Sequence, residues 1–300
     1  MSSIIGRKLL LAMGVLALAI PTWAGSRIEK NLALEPGGRF ILESDGGSVT
    51  ITGTDQSGAK VVITSDRDDL QRQFDFTFDE NAGLVRVRAH QYSHWGWLRY
   101  NNLNLRFEIR VPKKTTLEVK TGGGNIEVYS LASDADVKTS AGSIHVVGLS
   151  GRLYARTSGG SVHLQEIQGN TEVQTSGGAI RAESIDGALI ARTSGGPIQI
   201  ERLTGRIDAG TSGGGITAVL SKKNAHGGTL KSSGGSISVA IDPTANLAID
   251  ASTSGGSVSS DLPIRVVGQI SGESLYGTLG SGGETLTIRT SGGSIHIGSL

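Results

Sequence analysis

Four sets of residues in this chain have types and spacings that could do chemistry. His145 and His163 stand 18 residues apart, and Glu127 lies 18 residues before His145. Imidazole and carboxylate are zinc ligands, and an equal step in a repeating fold would set the three on one line. Lys120, Lys138, Arg156 and Arg192 fall on the same 18-residue step, interrupted by Gln174. Evenly spaced cations match a repeating anion, such as an acidic glycan or the phosphates of a lipopolysaccharide. Glu118, Asp136 and Glu172 run two residues earlier, on the same face of a strand, so a charge-balanced solvated surface is the competing reading. HWGWLRY at 94–100 offers Trp95, Trp97 and Tyr100, whose rings could stack on sugars, meet a membrane interface, or plug one end of the fold. Asp66, Asp68 and Asp69 in ITSDRDDLQ crowd three carboxylates together. A polysaccharide hydrolase would need two such groups at a fixed separation, whereas a loop charge run is usually solvated.

The elements that must position these residues follow from one motif. RTSGGSVHL at 156–164 returns as TSGGAI at 175, TSGGPI at 193 and TSGGGI at 211. On an 18-residue step the threonine column reads Thr121, Thr139, Thr157, Thr175, Thr193 and Thr211, and a second glycine column reads Gly151, Gly169, Gly187 and Gly205. Between the columns apolar residues alternate with polar ones, as in Val162 and Leu164 or Ile198 and Ile200, which is the two-residue period of a strand. Each unit therefore holds two short strands and two corners, and it buries its apolar residues only by stacking on its neighbours. The expectation is an all-β parallel solenoid, right-handed by the general crossover rule. Thr should face inward as a hydroxyl ladder, with left-handed glycines at the corners. Later units start at 232, 253 and 290, with KKNAHGG and DLPIRVVGQISGESLYGTLGSGG read as surface loops.

The glycine turns lack the Asp of a calcium-binding roll, and an open flat face gives imidazoles no supporting shell. No metal or cofactor is expected, and no Ser-His-Asp or Cys-His set emerges. Net charge of +1 over 300 residues gives no sign of a nucleic-acid partner. The first 24 residues carry Arg7 and Lys8 ahead of an apolar run too short to span a bilayer, then Thr22-Trp23-Ala24, which reads as a cleaved signal peptide. With no Cys there is no lipid-modified cysteine and no disulfide. Residues 25–110 lack the repeat register and read as an antiparallel β cap; 111–300 read as the repeat solenoid.

RFEIRVPKKTTLEVKTGGGNIEV at 106–128, the TSGG-x-[IV] repeats and the closing GSGGETLTIRTSGGSIHIG resemble the DUF4097 family, bacterial β-strand-repeat proteins related to adhesin heads. Val111, Pro112, Leu117 and Val119 carry the most specific part of that resemblance. It implies the fold and, by analogy of shape, adhesion; it transfers no catalytic residue. The functional expectation is an exported, non-catalytic envelope protein binding a glycan or an envelope protein through Trp95, Trp97, Tyr100, Lys120, Lys138, Arg156 and Arg192. The alternatives are a polysaccharide lyase or hydrolase on a β-helix, and a final coil, IHIGSL, that pairs with a partner strand.

Overall fold

The computed structural model describes residues 25–92, 104–222, 224–266 and 271–300. Its N-terminal strands are β1 (Arg27–Leu32), β2 (Arg39–Ser44), β3 (Ser48–Thr54), β4 (Ala59–Thr64), β5 (Phe74–Asn81), β6 (Leu84–Gln91) and β7 (Arg106–Pro112). A single helical turn, α1 (Leu70–Gln73), lies before β5. The repeats give β8 (Thr116–Thr121), β9 (Ile126–Leu131), β10 (Ala135–Thr139), β11 (Ile144–Ser150), β12 (Leu153–Arg156), β13 (Val162–Gln168), β14 (Thr171–Gln174) and β15 (Ile180–Asp186). They continue as β16 (Leu189–Arg192), β17 (Ile198–Leu203), β18 (Ile207–Thr211), β19 (Ile216–Leu220), β20 (Gly228–Ser232) and β21 (Ile237–Ile241). The last strands are β22 (Leu247–Thr253), β23 (Val258–Ser260), β24 (Arg265–Val266), β25 (Ser274–Leu279), β26 (Thr285–Thr290) and β27 (Ile295–Ser299).

Among the described residues these strands form two sheets. Sheet A runs β1-β4-β7-β3-β9-β11-β13-β15-β17-β19-β21-β27-β23, and sheet B runs β24-β25-β22-β26-β20-β18-β16-β14-β12-β10-β8-β2-β6-β5. Each repeat gives one strand to each sheet, and successive repeats stack parallel, like on like: Val162 lies beside Ile180, and Leu153 beside Thr171. The inward side chains make one continuous apolar core from Leu34 to Ile297. In the middle repeats a single residue resets the alternation. Ser130, Gly148, Glu166, Ser184 and Arg202 all adopt φ between 56° and 68°. That left-handed bend lets two inward residues, such as Leu164 and Ile167, sit three apart and both be buried.

The corners differ from the expectation in two respects. The threonines are buried as foreseen, but their hydroxyls do not bond one another. Thr157 Oγ1 donates to the Gly142 carbonyl at 2.8 Å, Thr175 to Gly160 at 2.8 Å and Thr193 to Gly178 at 2.9 Å, so each tethers its coil to the one before. The paired glycines are not left-handed either. A Cβ on Gly178 would lie 2.1 Å from the Gly160 oxygen, so close backbone approach is what demands glycine there. Positive φ matters in the other glycine column, at Gly169 (140°) and Gly187 (143°).

Both ends depart from simple winding. Residues 39–54 do carry the repeat register: Ser44 pairs with Thr121 through β2 and β8, and Val49 with Ile126 through β3 and β9. Antiparallel pairs β1–β4, β4–β7 and β5–β6 then finish that end of both sheets. At the other end the insertion DLPIRVVGQISGESLYGTLGSGG is, in its described residues, not a surface loop. β25 pairs antiparallel with β22, and β24 with β25, so sheet B continues through it. The final repeat, β26 and β27, is seated between β20/β21 and β22/β23. IHIGSL is thus an interior coil whose β27 is bonded on both sides, which overturns the idea that it offers a free edge.

Candidate functional site

The outer face of sheet B gathers the predicted cations. Lys120 on β8, Lys138 on β10, Arg156 on β12, Gln174 on β14 and Arg192 on β16 occupy one register position on consecutive strands. The same position continues through Gly210 on β18 to Lys231 on β20 and Arg289 on β26. Six of the eight strands from β8 to β26 therefore present a cation, over roughly 34 Å at ~4.8 Å per strand. Lys231 and Arg289 escaped the 18-residue count because insertions shift them. Their signal was present in sequence, since each directly precedes an [ST]-S-G-G corner, as Lys138, Arg156 and Arg192 precede theirs or its variant.

Pairing divides these cations. Lys138 Nζ lies 2.8 Å from Asp136 and 4.9 Å from the centre of the Tyr154 ring. Arg192 reaches Asp208 at 2.6 Å, and Arg289 is bonded to Asp250. Lys120, Arg156 and Lys231 are exposed and have no side-chain partner among the described residues. The neighbouring acids are already engaged: Glu118 by Arg39 at 2.5 Å, Glu172 by Gln174 at 2.6 Å, Asp136 and Asp208 by the cations just named. Each pair is solvent-facing and worth under about 1 kcal/mol, so their importance lies in which charges they leave free.

Beside this column sheet B forms a shallow groove of about 490 Å³, floored by Tyr154, Ile190, Ala135 and Ala188 and flanked by Arg39 and Arg152. Its carboxylates are Glu118, Asp136 and Glu172, paired as above, and Asp134, which Arg152 holds at 3.0 Å. The Asp66, Asp68 and Asp69 group lies elsewhere, before α1. Asp69 accepts hydrogen bonds from Gln73 (2.7 Å) and Arg67 (3.1 Å), which hold its carboxyl below the usual range and keep it ionised. Asp66 accepts from Asn104 at 2.9 Å.

On sheet A, Glu127, His145 and His163 do share a column, but their donor atoms do not converge. The two imidazoles stack face to face, 4.8 Å between centres and 6° between planes, so lone pairs that lie in those planes run side by side. Glu127 instead accepts from Tyr129 at 3.3 Å and Thr50 at 3.4 Å. Among the described residues no three His, Asp or Glu side chains form a metal set. Burial and the nearby His163 push His145 below the ordinary imidazole value. Trp95, Trp97 and Tyr100, and residues 1–24, where a signal peptide is expected, lie outside the described residues. Among the described residues no helix is long and apolar enough to cross a membrane.

The molecule is a parallel β-solenoid with a row of cations along one flat sheet. More particularly, the chain belongs to the Toastrack DUF4097 family, whose model matches residues 39–298. A search of curated proteins found no match. Solved structures with related architecture include a candidate cell-adhesion protein from Clostridium sporogenes, 13% identical, covering 92% of this chain and 100% of that one at TM-score 0.30. A candidate lipid-binding protein from Parabacteroides distasonis is 11% identical, with 93% and 98% covered at TM-score 0.45. A candidate adhesin from Bacteroides fragilis is 12% identical, with 91% and 97% covered at TM-score 0.34.

Proposed function

We propose that the protein is an exported, non-catalytic β-solenoid of the bacterial cell envelope, an adhesin-like scaffold that binds an envelope glycan through the outer face of sheet B. The observation that carries this reading is the in-register cation row with three members left unpaired. A rigid stack with a continuous core presents such a row at fixed spacing without ordering cost on binding. The carboxylates of the adjoining groove, Glu118, Asp134, Asp136 and Glu172, are engaged by Arg39, Arg152, Lys138 and Gln174 in turn, which argues against an acid–base pair poised to cleave a polysaccharide.

The test combines cell fractionation with a glycan array probed by the protein from Gly25 onward. Fractionation is expected to recover a shortened chain outside the cytoplasm, and the array to show retained glycan without release of new reducing ends. Cytoplasmic recovery of the full chain, an array with no bound glycan, or steady cleavage of one would each overturn the reading.

A further inference from the structure

Resting on that reading, we infer that the ligand is a linear acidic polysaccharide lying across the strands, along the stacking direction, with its anionic groups seated on Lys120, Arg156 and Lys231.

Lys120 and Arg156 are on β8 and β12, separated by one strand, and Arg156 and Lys231 are on β12 and β20, separated by three. At ~4.8 Å per strand the free cations stand roughly 10 Å and 19 Å apart, the second interval twice the first. The positions between them are neutral (Gln174, Gly210) or already paired with carboxylates (Lys138, Arg192). Unpaired positive charge thus recurs at multiples of two strand spacings. A polymer with one anion on every second sugar has that kind of sparse, even charge.

A second row selects sugars over other polyanions. Ser140, Ser158, Ser176, Ser194 and Ser212 lie two residues beyond the cation column on successive coils, exposed, with no side-chain hydrogen bond among the described residues. A free hydroxyl both donates and accepts, which suits the hydroxyls of a sugar chain between its charged groups. The opposite flank is the acid column Glu118, Asp136, Glu172 and Asp208, which narrows the favourable strip to a single line of anions. That strip disfavours the paired, dense phosphate rows of a nucleic-acid duplex, which call for a broad basic surface.

The experiment titrates the protein with hyaluronan oligosaccharides of increasing length, which carry one carboxylate on every second sugar, with neutral dextran in parallel. Affinity is expected to rise with length until an oligomer spans from β8 to β20, roughly 29 Å, and then to level off; dextran should not bind. The triple variant K120Q/R156Q/K231Q alters three exposed side chains and should keep its fold, checked by circular dichroism. It should bind at least roughly tenfold more weakly, and the slope of log affinity against log salt should shrink by up to about three. Arg181→Gln on sheet A, the opposite face, should leave binding unchanged. The inference is overturned if the triple variant binds no worse than Arg181→Gln, if affinity ignores oligomer length, or if no hyaluronan oligosaccharide binds. A glycan array that retains only neutral sugars would sink this inference while leaving the envelope-glycan reading intact. An array that retains nothing would remove both.

Discussion

Gly177 and Gly178 stand side by side in one TSGG corner, and replacing each by alanine should have very different consequences. Neither has positive φ, so backbone strain does not separate them. Space does. A Cβ on Gly178 would meet the Gly160 oxygen at 2.1 Å, its carbonyl carbon at 2.4 Å and Ser161 N at 2.6 Å, all backbone atoms of the adjacent coil. Against an ordinary contact of ~3.5 Å this is an overlap of about 1.4 Å, and only prising the coils apart relieves it. That movement lengthens the two hydrogen bonds that cross between the coils, from the Thr175 hydroxyl to the Gly160 carbonyl (2.8 Å) and from the Ala179 N–H to Ser161 Oγ (3.2 Å). At about 1 kcal/mol for each lost bond, plus overpacking, G178A should cost about 2–4 kcal/mol. A Cβ on Gly177 would lie 3.3 Å from the Gly159 oxygen, which a shift of a few tenths of an ångström accommodates. Restricting the unfolded chain stabilises such a change by about 0.4–1 kcal/mol, so G177A should fall within about 1 kcal/mol of wild type. Urea unfolding followed by circular dichroism compares the two midpoints. Equal midpoints, or G178A the more stable, would refute the claim that coil-to-coil contact dictates this glycine.

Four further outcomes follow from the same geometry. Thr175→Val keeps the shape but strands the Gly160 carbonyl without its hydroxyl donor, and should lower stability by about 1–2 kcal/mol in the same urea assay. His145 is held below the ordinary imidazole value of 6.5, so as pH falls the unfolded chain takes up the proton first. Stability should therefore decline as pH drops through 6.5 towards the folded value, and H145Q should flatten that part of a melting-temperature profile. Deleting 285–300 removes the buried Leu286, Ile288, Ile295 and Ile297, at about 1.5–3 kcal/mol each, and should leave a chain that limited proteolysis degrades rapidly. Excising 157–174 joins Arg156 to Thr175 with like still above like, and should leave a folded, cooperatively melting protein one coil shorter.

The middle of the fold was legible in the sequence because stacking repeats the same demand at the same interval. Apolar alternation, inward threonines and the cation column all follow from an 18-residue step, and each is found where that step puts it. What escaped were features that depend on a neighbouring coil. The need for Gly178 comes from a carbonyl 18 residues away, and the left-handed Glu166 and Arg202 have no local marker in their residue type. The ends were harder. SDGGSV at 44–49 is a degenerate copy of the motif, overlooked although Ser44 stands in the threonine column. Lys231 and Arg289 were missed because the distance counted was along the chain, while their alignment is between strands. Nothing local announces that a late repeat slots between two earlier ones, since that order depends on which edges remain open.

The seating of β26 and β27 between coils made earlier bears on how the chain is completed as it leaves the ribosome. Middle units can dock in order of synthesis, each onto the one before. The coil of β22 and β23 cannot, because its parallel neighbour is translated after it, and until then β21 and β23 lack their common partner. Closure of that end is therefore tied to the arrival of β26 and β27, and a chain stopped before them exposes a gap for proteases to enter.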